Sequence, residues 1–151
     1  MEKPALLRAA LAAAIPELAE NPDKLMMWII EGQVKANKAT LGHELQYRLN
    51  INITDFSGSL NRLNVAVINW LQTHQPDILN PGASRQDGYI FEADILSNHS
   101  ADIAIVLRLT EGILARVDDS GEIHISHRQE PKHKNNLTWA GLPENVAGAQ
   151  N

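Results

Sequence analysis

Six histidines are the residues of this chain best suited to metal or acid–base chemistry, and their spacing argues against both. His124 and His127 lie three apart at the end of a predicted strand. They therefore point to opposite faces and cannot hold one ion together without a bend. His127 and His133 straddle a polar segment, and no Asp or Glu is spaced to complete a site with them. His74 falls at a helix end, where an imidazole pairs with free backbone carbonyls. Asp118-Asp119-Ser120-Gly121-Glu122 is rich in oxygens, yet it lacks the long calcium loop with alternating ligands and a closing glutamate. A hairpin turn accounts for it. Ser57-Gly58-Ser59 lacks the flanking glycines of a nucleophile elbow, and no phosphate-cradling glycine loop is present. With no cysteine, disulfides and thiolate metal sites are excluded. The expectation is a protein with no catalytic set, no cofactor and no metal.

The elements that would position any site are clearer. From Leu45 to Ile53 the apolar residues fall on odd positions, with Gln46, Arg48, Asn50 and Asn52 between them. That alternation predicts a strand with one dry and one wet face. Asp55 to Ser59 is a turn, in which Gly58 is free to take a positive φ. Ser59 is placed to cap the helix that follows. On that helix Leu60, Leu63, Val67, Trp70 and Leu71 share one stripe, and Pro76 ends it. Val65 sits opposite the stripe and Ile68 flanks it, which marks both as candidate contacts with another chain.

Pro4 to Ala14 predicts a first helix, with proline in the first turn where its missing N–H costs nothing. Leu25 to Ile30 is a continuous apolar run, predicted as a strand covered on both faces, and Val34 to Gly42 as a polar connection. After a loop over residues 77–88, four strands are predicted. Tyr89 to Ile95 and Ile103 to Leu109 are joined by Ser97-Asn98-His99-Ser100; Ile113 to Val117 and Glu122 to Ser126 are joined across Asp118 to Gly121. Short connections imply antiparallel pairing. The fold class is α+β, an antiparallel or mixed sheet packed by two helices in one domain. The predicted core comprises Trp28, Ile30, Tyr47, Leu49, Ile51, Leu63, Val67, Leu71, Phe91, Ile105 and Leu107.

At 151 residues, 44% hydrophobic and 21% charged, the chain fits one ordinary globular domain. A formal charge of −5 argues against a dedicated nucleic-acid binder. No apolar run is long enough to span a membrane, and Glu2, Arg8 and Glu17 interrupt the N-terminus too early for a secretion signal. The expected compartment is the cytoplasm. The folded unit is placed at residues 1–127, and residues 128–151 form a polar extension too poor in apolar groups to order by itself. Within the extension, Trp139 and Leu142 are candidate anchors for another surface.

Several stretches resemble the phage tail completion protein R family of contractile-tailed temperate phages. They are Lys3 to Leu11, Pro16-Glu17-Leu18-Ala19 with Asn21-Pro22-Asp23, and Tyr47 to Ile53 running into Thr54-Asp55-Phe56-Ser57-Gly58. Trp70-Leu71 with His74-Gln75-Pro76, Phe91 to Leu96, and Leu109-Thr110-Glu111 continue the likeness in register over residues 1–131. Met26-Met27-Trp28 is bulkier than the family pattern, and residues 132–151 fall outside it. The resemblance implies a virion structural protein with neither enzymatic activity nor cofactor, working in the virion tail and assembled in the host cytoplasm. It implies a tail terminator: a ring, hexameric like the tube, at the tube's head-proximal end. Its partners would be itself, the tail tube protein and head–tail connector proteins, with DNA passing through the ring unrecognised. A neck adaptor on the head side is the alternative, and a small ligand-binding domain or enzyme is a third.

Overall fold

The computed structural model describes residues 1–80 and 87–130. Helix α1 (Lys3–Ala14) and the short α2 (Pro16–Glu20) are followed by strands β1 (Leu25–Ala36) and β2 (His43–Phe56). Helix α3 (Leu60–His74) leads to β3 (Tyr89–Ile95), β4 (Ala101–Val117) and β5 (Ile123–His127). The sheet is antiparallel throughout, in the order β1-β2-β4-β3, with β5 also on β4. The fold class is therefore α+β with an antiparallel sheet.

Why the sheet has one dry face follows from the register. Leu49 pairs with Leu107 and Ile51 with Ile105, so the odd residues of β2 and β4 share one side. Helices α1 and α3 pack against each other and cover that side with Leu7, Leu11, Leu63, Val67 and Leu71, all fully buried. Ser59 caps α3 as its position predicts, accepting a hydrogen bond from the Arg62 backbone N–H at 3.3 Å. Gly58, however, does not adopt a positive φ. Its side-chain position lies against the Phe56 ring, where a Cβ would sit 2.7 Å from a ring carbon, so close approach demands glycine. Asp55 takes the left-handed conformation instead, with φ at 49°.

Several features differ from the sequence reading. Helices cover only one face of β1, so Leu25, Met27 and Ile29 turn inward while Met26, Trp28 and Ile30 are 53%, 42% and 40% exposed on the open face. Trp28 and Ile30 are not core residues. β1 also runs on to Ala36 through a bulge at Glu31-Gly32, where the pairing shifts and Glu31 has φ 54°; only Asn37 to Gly42 connects it to β2. Ile103 to Val117 is one strand rather than two, because Glu111 continues the inward phase as a buried carboxylate, satisfied by the Tyr47 hydroxyl and the Glu2 backbone N–H. Phe91, on the inward phase of β3, is 49% exposed because β3 is an edge strand, paired only with β4. Finally, Pro16 both ends α1 and begins α2, which adds a short α-helix of five residues beside the two predicted ones.

Candidate assembly surfaces

The histidines among the described residues do not converge. His124 Nε2 lies 2.7 Å from Asp118 Oδ2, and His127 Nδ1 lies 3.1 Å from Glu2 Oε2, a partner too distant in sequence to be visible there. His74 donates from Nδ1 to the Trp70 carbonyl at 3.0 Å and stacks on the Trp70 ring at 4.5 Å, as its helix-end position implied. His133 lies outside the described residues. Among the described residues no three His, Asp or Glu side chains are grouped to hold a metal ion.

Asp118 commits its carboxylate to its own turn. One oxygen accepts from the Ser120 N–H, the Ser120 hydroxyl and the Glu122 N–H, and the other faces His124. Gly121 closes the turn at φ 88°. The Ser120 hydroxyl first, then His124, hold the Asp118 carboxyl down to about 2.

A buried polar clamp joins the two ends of the domain. Lys3 Nζ donates to Gln75 Oε1 and Glu130 Oε1, both at 2.8 Å. Gln75 Oε1 also accepts from the Thr110 backbone N–H at 2.9 Å, on the edge of β4 where β3 has ended. Burial, reinforced by Glu111, pushes the Tyr47 hydroxyl far above its ordinary value. A groove of about 440 Å³ runs beside this clamp, lined in part by Glu2, His74, Glu111, His127 and Arg128. Each of Lys3, Glu111 and Glu130 has a partner, which fits a structural tie better than a reaction centre. The sequence reading did not find it, since Glu111 falls in the gap between the predicted strands Ile103 to Leu109 and Ile113 to Val117.

The uncovered surfaces are apolar. The first is the strip Met26, Trp28 and Ile30 on the open sheet face, beside Arg48 and Arg108. These two arginines are cross-strand neighbours, bridged by Asp87 at 3.1 and 2.6 Å. The Arg108 guanidinium holds the Asp87 carboxyl below its usual range. The second is the β4–β5 hairpin, which extends past the last β2 pair at His43 and Ile113. The third is the α3 flank with Val65, 66% exposed, and Ile68, 38% exposed, adjoining β3 through the hydrogen bond from the Tyr89 hydroxyl to Asn64. Trp139 and Leu142 lie outside the described residues. Among the described residues no helix is long and apolar enough to cross a membrane.

The family model for P2 phage tail completion protein R matches residues 1–131. This chain belongs to that family. Tail completion protein R of Escherichia phage P2 is 39% identical to it over 132 residues, covering 87% of this chain and 84% of the relative. No solved structure matches. The matched region in the tail completion protein R family thus takes in every described element, including the clamp and the hairpin.

Proposed function

We propose that this protein completes the phage tail as a terminator: a ring of identical subunits that binds the head-proximal end of the tail tube and stops its growth. A tube built by stacking identical rings has no intrinsic stop, because each added ring presents the same binding surface again. A terminator must match the tube on one side and differ on the other. Family membership supports the tail completion role. The observation that carries the ring is the amount of apolar surface this compact subunit leaves uncovered in separate places, on the open sheet face, the β4–β5 hairpin and the α3 flank of Val65 and Ile68. A subunit with several such surfaces fits an assembly with copies of itself and with the tube protein. A net charge of −5 lets DNA slide through a ring without being gripped. On this reading the protein needs no cofactor, acts in the tail of the particle and assembles in the host cytoplasm. Trp139 and Leu142, in the polar extension, are further anchors available to a neighbour.

The test is electron microscopy of the purified protein mixed with uncapped tail tubes. The expected image is a ring at one tube end only, with further tube subunits no longer added there. Binding to the portal vertex of filled heads, with bare tube ends, would instead establish a neck adaptor.

A further inference from the structure

We infer that the outer edge of β1 in one subunit pairs antiparallel with the outer edge of β3 in the next, so that one sheet runs on from copy to copy around the ring. This rests on the ring reading above and names the contact that builds it.

The backbone supplies the first argument. Among the described residues β1 pairs only with β2 and β3 only with β4, which leaves two free edges on one sheet. The Arg108 N–H donates to the Gly88 carbonyl at 2.9 Å and the Leu96 N–H to the Ser100 carbonyl at 3.0 Å. The even residues between them, Ile90, Glu92 and Asp94, therefore turn their N–H and C=O groups to β4. Those of Tyr89, Phe91, Ala93 and Ile95 point away from the sheet. Carried across β4 and β2, the same alternation turns the groups of Leu25, Met27 and Ile29 to the outer edge of β1. Four antiparallel strands also leave β1 and β3 running in opposite directions. A copy set beside the first by rotation thus brings β1 antiparallel to β3, with bonding groups in phase and its helices on the same side.

The side chains supply the second. Edge strands are ordinarily guarded against such pairing by charges, proline or a bulge. From Leu25 to Ile30 β1 has none of these, and its bulge comes only at Glu31-Gly32. A run that is apolar on both phases is the pattern of an interior strand, yet this one lies at the edge. β3 also exposes apolar groups on both phases, with Ile90 on the open face and Phe91 and Ile95 on the helix face; Ile95 is 78% exposed. Its charges, Glu92 and Asp94, both keep to the open face. Pairing sets Ile90 among Met26, Trp28 and Ile30 of the next copy, and Phe91 among Leu25, Met27 and Ile29. Ile68, one turn on from Asn64 along the α3 flank that adjoins β3, then meets the helix layer of that copy.

A second copy is the occupant because one contact covers both edges. A partner of another kind laid on β3 would leave β1 open, and the reverse. The two edges are unlike, so joining them leaves one of each free for the next subunit, which is how rings grow and close.

The chain has no cysteine, so an introduced thiol reports its own position. Ile90→Cys, mixed with single-cysteine partners on tail tubes and mildly oxidised, should form disulfides with the open-face set Met26→Cys, Trp28→Cys and Ile30→Cys, strongest at one of them. It should not bond to Met27→Cys or Ile29→Cys, which lie on the other face. Trp28→Cys/Ile90→Cys in one chain should give a ladder of covalent oligomers that stops at the ring size. Phe91→Pro removes an outward N–H and no bond to β4, so it should abolish cross-linking and rings while the circular dichroism spectrum stays that of the folded chain. Rings seen by microscopy without these disulfides, or with disulfides formed equally on both faces, would overturn the edge contact and leave the terminator reading intact. Neither rings nor tube binding would overturn both.

Discussion

Asp118 holds the β4–β5 turn with four contacts from one partly exposed carboxylate, and that makes the turn sensitive to acid. Its folded value of about 2 lies below the ordinary 3.8. A group depressed on folding stabilises fully above its unfolded value and loses that stabilisation as pH falls through the folded one. The amides of the turn should therefore lose protection to hydrogen exchange between about pH 4 and pH 2, ahead of the core, and Asp118→Asn should remove that step. Core residues give a second check at this scale. Leu49→Ala leaves a cavity between sheet and helices and should cost about 2–5 kcal/mol in chemical denaturation. Trp28→Ser should cost clearly less than Leu49→Ala, since Trp28 is 42% exposed on the open face while Leu49 is buried. Equal losses at the two positions would contradict the register. Alternation in β2 and the α3 stripe made Tyr47, Leu49, Ile51, Leu63, Val67 and Leu71 legible in sequence. Trp28 and Ile30 were not, because a continuous apolar run shows no phase until the covered face is known.

At the level of elements, β4 reads in sequence as two strands, Ile103 to Leu109 and Ile113 to Val117, with Thr110-Glu111-Gly112 between them, and Glu111 is the residue that joins them. The carboxylate stays inside the sheet because Tyr47 and the Glu2 N–H lie across from it, contacts 64 and 109 residues apart in sequence. Local pattern carries no trace of such partners. The bulge at Glu31-Gly32 was hidden for the same reason, since it aims Glu31 toward Arg48, 3.5 Å away on the next strand. Gln75 also acts across a long stretch of chain, because its side chain accepts the β4 N–H of Thr110 at the point where β3 stops. Gln75→Leu leaves that N–H and Lys3 Nζ short of an acceptor in a buried setting, and should destabilise by about 1–3 kcal/mol. The amide of Thr110 should gain exchange rate more than those of Ile105 or Leu107. Uniform exchange changes along β4 would show that Gln75 acts through general packing instead.

For the whole molecule, the fold distributes uncovered apolar surface over both sides of one sheet. That distribution was only partly legible. Val65 and Ile68 stood out because helical phase separates them from the α3 stripe, whereas the hairpin and the β1 strip depend on where the helices end over the sheet, a property of the packed domain. The central claim is that this protein ends the tail. Its most direct measurement is the length distribution of tails assembled without it, taken from electron micrographs of lysates lacking the protein. Tails of uncontrolled length or with unravelling head-proximal ends, separate from filled heads, are the expected result, with normal lengths restored by the protein supplied in trans. Tails of normal length with intact ends, failing only to join heads, would contradict it.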